Sequence, residues 1–277
     1  MKNRRSTFIL LLLFFVGLSV MLYPTLADYW NTRTQSEAIV DYQAMADRIQ
    51  PEDYSRYFAE AEAYNRALAE LKSPMHQFGE LEGYDSILNL SGNGMMGYLT
   101  IDRIGQELPL YHGTSDSVLS VAVGHLEGTS LPVGGKSTHA VVSAHRGLPT
   151  AELFTYLDRL EPGDTFCLTV LDRVLTYEVD QIRIVEPDDI GYIGIEEGQD
   201  HCTLLTCTPY GINSQRLLVR GRRIDTVKNT VIRVENQAYR VDTLIVMPIV
   251  ALPMLAVLML YVLFAPVKKV SAGEDLW

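Results

Sequence analysis

Two long apolar runs bracket this chain, and between them the hydrophobic pattern changes period. The first run covers residues 7–23, follows Lys2, Arg4 and Arg5, and holds 17 residues. That is the lower end of the roughly 17–25 residues that cross a bilayer as a helix. It reads as a membrane segment within residues 1–28. The small residues at 25–27, before Asp28, leave a cleaved signal peptide as the alternative. The second run, residues 243–264, is 22 residues long, carries no charge and precedes Lys268 and Lys269. It predicts a transmembrane helix, in which Pro248 and Pro253 are tolerated, followed by a tail at 265–277. Basic residues outside both runs place both chain ends in the cytoplasm and the middle outside the cell.

After the first run the period is helical. Ile39, Tyr42, Ala46 and Ile49 recur on one face. Past Pro51, placed for a helix start, Tyr54, Tyr57, Phe58, Ala61, Leu68 and Leu71 form a second stripe. Residues 29–72 therefore predict a helical arm whose role is packing. Residues 73–96 read as a linker. From Gly97 the pattern becomes short β-rich runs with Gly and Pro between them: YLTI, ELPLY, HAVVSAH, TFCLTVL, VLTYEVDQIRIVE, CTLLTC and RLLVRGRRI. Such spacing predicts a closed or nearly closed β structure over 97–225. A short helix is expected at 150–160, and a linker at 226–242 leads to the second membrane run.

Composition adds exclusions. The formal net charge of -11 argues against a nucleic-acid partner. There is no C-x-x-C pair and no H-x-x-x-H pair, so no zinc site is predicted, and nothing calls for a cofactor. Three cysteines in an exported domain cannot all pair with one another.

Cys202 and Cys207 lie in CTLLTC, which is strand-like. Their odd separation points them to opposite faces of a strand, with Cα atoms about 16 Å apart at the usual rise. A disulfide spans roughly 4.4–6.8 Å, so the pair does not bridge. Cys207 stands where the strand meets a polar turn and is the candidate nucleophile; Cys202 and Cys167 read as small buried hydrophobes. The chain reads as an antiparallel return; if Cys207 opposes Arg216, then Leu205 opposes Leu218 and Leu204 opposes Val219. A guanidinium there favours a thiolate and can support an oxyanion. A proton donor for the leaving group is still needed. His145, ending an apolar run, and His125 are the rivals, and spacing does not choose between them.

TLLTC followed by Arg216, with HRG upstream, resembles the T-L-x-T-C signature of sortases, cysteine transpeptidases of Gram-positive cell surfaces. MGYLTIDRIGQELPLYHGT, GHLEGTSLPVGGKSTHAVVSAHRGLP, VEPDD and TCTPYGINSQRLLVRG resemble the class C, pilin-polymerising branch over residues 35–225. The resemblance implies a mainly β fold, an eight-stranded β-barrel with an N-terminal helical arm and flanking transmembrane segments. It implies His145 as general acid/base, Cys207 as nucleophile and Arg216 as the residue that positions substrate and supports the oxyanion, with His125 structural. It implies cleavage of an L-P-x-T-G-like sorting signal between Thr and Gly, and transfer to a lysine amine of a pilin subunit at the cell membrane. The alternatives are a housekeeping-type sortase that attaches proteins to a cell-wall precursor, a cysteine endopeptidase, and a non-enzymatic anchored adhesion module. Class C members hold an Asp-Pro-aromatic lid upstream of the barrel. Ser73, Pro74 and Met75 stand at the matching place here, so the match is partial: serine lacks the charge to pair with Arg216, while methionine can still cover sulfur.

Overall fold

The structure, a computed structural model, describes residues 2–226. The membrane run expected at 243–264, the tail after it and all but the start of the linker lie outside the described residues. Helix α1 runs Lys2–Ala46, so the first apolar run and the first part of the expected arm belong to one continuous helix. Within it, Phe8–Ala46 contains a stretch long and apolar enough to cross a membrane. Residues 2–25 belong to a different unit from the one that begins at Leu26.

Within that unit the last turns of α1 pack as their stripe demands. Ile39, Tyr42 and Ala46 are buried. The Tyr42 hydroxyl donates to the Met96 carbonyl at 2.8 Å and accepts from the Leu171 amide at 3.0 Å. Gln35 Nε2 donates to the Val121 carbonyl. Helix α2, Pro51–Glu70, starts on its proline and buries Phe58, Ala61 and Leu68 against the barrel core. The Asn65 amide closes the contact, accepting from the Leu131 amide at 2.7 Å and donating to its carbonyl at 3.1 Å.

Eight strands close the barrel: β1 Met95–Ile101, β2 Gln106–His112, β3 Val123–His125, β4 Thr138–Ser143, β5 Thr165–Val170, β6 Arg173–Val185, β7 Asp200–Thr208 and β8 Gln215–Ile224. Their order around the barrel is β1-β2-β3-β4-β7-β8-β6-β5. The β2–β3 and β4–β7 pairs are parallel and the others antiparallel. Seven strands grow from the seven β-rich runs; β3 is three residues long and gave too short a pattern to find. Alternation puts Leu99, Ile101, Leu168, Tyr177, Cys202, Leu204 and Val219 in one core.

Two expectations are corrected. Residues 150–160 do not form an α-helix: they hold turns, an isolated bridge from Leu148 to Ala151 and a single 3-10 turn at Leu157–Arg159. Leu153 there has φ +40°, outside helical backbone, and Phe154 and Leu157 turn into the core instead of forming a helical stripe. Residues 73–86 are not a bare linker: they carry α3, Pro74–Gln77, and 3-10 turns at Phe78–Glu80 and Tyr84–Ser86.

Candidate active site

The site is one row of residues across three neighbouring strands. Strand β7 is rich in threonine and leucine and lies between β4 and β8. On the β8 side Cys207 is the direct partner of Arg216, Leu205 of Leu218 and Leu204 of Val219. On the β4 side the parallel ladder ends at Ser143 beside Leu205. The Ala144 amide still donates to the Leu205 carbonyl at 3.2 Å, and Thr206 Oγ1 donates to the Ala144 carbonyl at 2.8 Å. Extended two residues past its last pair, the same register would set His145 alongside Cys207. Neighbouring strands lie about 4.8 Å apart, so that extension would make one row of His145, Cys207 and Arg216.

Strand parity decides which way the line faces. Cys202 is fully buried in the barrel core, and burial pushes its thiol pKa well above the ordinary value. Cys207, an odd number of residues on, faces outward and is half-buried. All three cysteines are free thiols. Cys167 departs from the expectation of a buried hydrophobe: it is half-buried, with Sγ 3.5 Å from Thr176 Oγ1.

The two rival histidines differ in burial. His125 is buried beneath Tyr84, with Nδ1 2.9 Å from the tyrosine hydroxyl and Nε2 2.8 Å from the Ser130 carbonyl oxygen. Desolvation lowers its pKa to about 4, so it is a neutral structural residue. His139 is held similarly, between the Gly194 carbonyl and Thr203 Oγ1, and is also lowered to about 4 by burial. His145 is half-buried at the strand end, beside the row. Arg216 is half-buried, and its Nη1 donates to the carbonyls of Asn213 and Gln215 at 3.3 and 3.1 Å. These bonds hold the guanidinium against the base of the β7–β8 turn.

Below the row, on the same outer face, lies a small apolar floor of Val141, Val185, Ile193 and Leu218, against which Leu126 and Leu205 pack. Met75 is the part of the candidate lid that reaches it. Gly128 permits this approach: a Cβ on it would stand 2.9 Å from Met75 Cα and 3.2 Å from its sulfur. Pro74 opens α3, and the Ser73 side chain turns back to its own helix, with Oγ 2.9 Å from His76 Nδ1. Sequence reasoning singled out the segment but not the floor under it. The floor, with Leu126 and Leu205 packed on it, comes from four strands and two loops, a grouping that no local pattern carries. Among the described residues no cluster of His, Cys, Asp and Glu could hold a metal ion.

Comparison with known proteins agrees with this geometry. The model of the sortase domain matches residues 99–224. Sortase D of Bacillus subtilis is 30% identical over 131 residues, covering 46% of this chain and 63% of that protein. The match to that relative therefore spans less than two thirds of its length. Among solved structures, sortase C1 from Streptococcus agalactiae is 44% identical with a TM-score of 0.63, covering 69% of this chain and 99% of the other. The sortase C of Streptococcus pneumoniae, a protein described for its catalysis and pilin substrate specificity, is 46% identical with a TM-score of 0.61, covering 69% and 97%. With a closed eight-stranded barrel, a cysteine–arginine pair on β7 and β8, and these neighbours, the chain belongs to the sortase family, and class C sortases are its structural neighbours.

Proposed function

We propose that this protein is a membrane-anchored cysteine transpeptidase that joins pilin subunits. The observation that carries the reading is the pairing of Cys207 with Arg216 on β7 and β8, with His145 two residues past the end of β4 on the other side of β7. A rigid strand end presents a reactive atom with little reorganisation. The likeness to class C sortases, one described with pilin substrates, supports the substrate class.

The chemistry follows from the order of the row. Cys207 Sγ attacks the threonine carbonyl of an L-P-x-T-G-like sorting signal, forming an S–C bond. Arg216, on the far side of the sulfur from His145, steadies the oxygen as it gains charge. The C–N bond to glycine then breaks, and His145 gives its proton to the departing amine. In the second half a lysine amine of another subunit attacks the thioester and gives a proton back to His145; the S–C bond breaks and an isopeptide bond remains. Splitting the exchange into two acyl transfers trades one amide for another without ATP. The apolar floor of Val141, Leu205 and Leu218 suits the leucine and proline of such a signal. The segment with Met75 seated on that floor acts as a lid that substrate displaces.

Residues 8–23 in α1 would hold the enzyme in the membrane, with the barrel outside the cell, where its substrates carry anchors of their own. The test is incubation of the full chain with pilin subunits bearing both a sorting signal and an acceptor lysine. A ladder of covalent polymers that Cys207→Ala does not make is the expected result. Cleaved monomers without a ladder would point to a peptidase, and no cleavage at all would sink the reading.

A further inference from the structure

We propose that Arg146 is a positioning residue for this reaction: a buried clamp behind the row that sets where His145 stands relative to Cys207. The inference rests on the functional reading above. The parallel ladder between β4 and β7 ends at Ser143 and Leu205, and the last bond across it is from Thr206 Oγ1 to the Ala144 carbonyl. Past that point no backbone pairing fixes His145 against Cys207. The clamp begins where the ladder stops, and it uses the next residue of each strand: Arg146 follows His145, and Thr208 follows Cys207.

The Arg146 side chain is only 8% exposed, rare for an arginine. It meets buried Thr208, which follows Cys207 on β7 and so faces the opposite way from it. Its Nη2 pairs with the Asp158 carboxylate, on the 3-10 turn Leu157–Arg159. Its Nη1 donates to Thr208 Oγ1 at 3.4 Å, and its Cζ lies 6.0 Å from the centre of the Tyr210 ring. Nε is buried without a partner. A buried charge so incompletely satisfied is a poor device for stability alone. It is a good device for position, because a planar guanidinium contacts three segments at fixed angles.

The flanking residues complete the arrangement. Gly147 has φ +77°, and a Cβ there would stand 3.0 Å from Tyr210 Cε2, so the ring lies directly against this glycine. The Gly147 amide donates to Thr155 Oγ1, and the Phe154 amide donates to the His145 carbonyl. The tripeptide His145-Arg146-Gly147 thus reads as the reacting imidazole, its clamp and the seat for the β7–β8 turn. The misread segment at 150–160 is the other jaw. Transfer of a proton between imidazole and leaving amine depends on near-contact geometry, and a displacement of about 1 Å can cost on the order of 100-fold.

The test uses the full chain in detergent, with cleavage of a sorting-signal peptide and its transfer to an amine as readout. Arg146→Ala is expected to lower kcat by roughly tenfold or more while KM stays within about twofold. Arg146→Lys should recover part of the loss, since an ammonium can meet Asp158 but cannot also fork to Thr208. Asp158→Ala and Thr208→Val should each lower kcat several-fold, and Asp158→Ala should add nothing to Arg146→Ala. A folded Arg146→Ala protein with unchanged kcat, or one whose KM rises in step with the loss, overturns the clamp. If Arg146→Ala does not fold, Asp158→Ala and Thr208→Val decide, and unchanged kcat in both overturns it. A parent chain that cleaves no sorting peptide sinks the functional reading and the clamp together. An active parent with unaffected variants sinks the clamp alone.

Discussion

Strands β4 and β7 carry a histidine and a cysteine at each end, and the two pairs have opposite fates. At the starting end His139 lies beside His201, and Cys202 beside Ala140. At the far end His145 follows β4 by two residues, and the extended register would set it beside Cys207. The histidines are an even number of residues apart and share the outer face, whereas the cysteines are an odd number apart and do not. So the first histidine and cysteine are separated by the sheet, and the second pair stands on one face. The surroundings widen the difference. His139 is covered by the loop at Gly194, and Cys202 is sealed in the core with its thiol pKa raised by desolvation. The far pair ends its strands beside a turn where Tyr210 and Ile212 are exposed. Residue type alone therefore names no nucleophile; parity and the end of a ladder do.

The largest expected effect breaks the symmetry of the cysteines. Cys207→Ala should lower transpeptidation by about 1,000-fold or more, measured with peptide and amine, while Cys202→Ala keeps its rate and costs about 1 kcal/mol of stability. Alkylation should follow the same split, with Cys207 modified in the native protein and Cys202 only on unfolding. If Cys202 reacts first, the facing of β7 is wrong. Next, Arg216→Lys should reduce kcat by roughly 10- to 100-fold, because an ammonium does not reproduce the planar fork; steady-state kinetics with the same peptide check it.

A smaller effect belongs to the buried histidines. His125 and His139 have folded pKa values of about 4, below their ordinary value of 6.5. Between these values the unfolded chain binds more protons than the folded one. Their contribution is therefore complete above about pH 6.5 and is lost as pH falls toward 4, by up to about 1.4 kcal/mol per pH unit for each histidine. Urea midpoints across this range should show that slope, and a non-titrating residue at 139 should flatten it. A flat profile would mean that neither ring is held neutral by burial. The smallest effect tests the lid. Met75→Ala should speed alkylation of Cys207 by about two- to fivefold, since Met75 packs on the floor beside the row. An unchanged rate would remove the segment from the account of the site.

Much of this was legible in the sequence because it is local. The hairpin of β7 and β8 follows from alternation and one turn, and once Arg216 is set opposite Cys207 the rest of its register follows. The helical stripes of α1 and α2 follow from their period, and their buried residues include Ile39, Tyr42, Phe58 and Leu68. What was not legible depends on distant partners. His145 reaches Cys207 across a parallel pair, whose strands lie more than fifty residues apart in sequence, so spacing could not choose it over His125; the family resemblance did. Strand β3 is too short to show a period. The segment at 150–160 has helix-like spacing of apolar residues, yet those residues close the barrel's end through turns. Arg146 drew no reading of its own from the sequence, because nothing near it announces Asp158 or Thr208 as partners.

The most direct test of the central claim is mass spectrometry of the full chain after brief incubation with a sorting-signal peptide and no amine. The account predicts a covalent adduct of the peptide's acyl portion, mapped to Cys207 and absent from Cys207→Ala. It should build up and then vanish when an amine is added. Cleaved peptide without any adduct on Cys207, or an adduct on Cys167 instead, would contradict it.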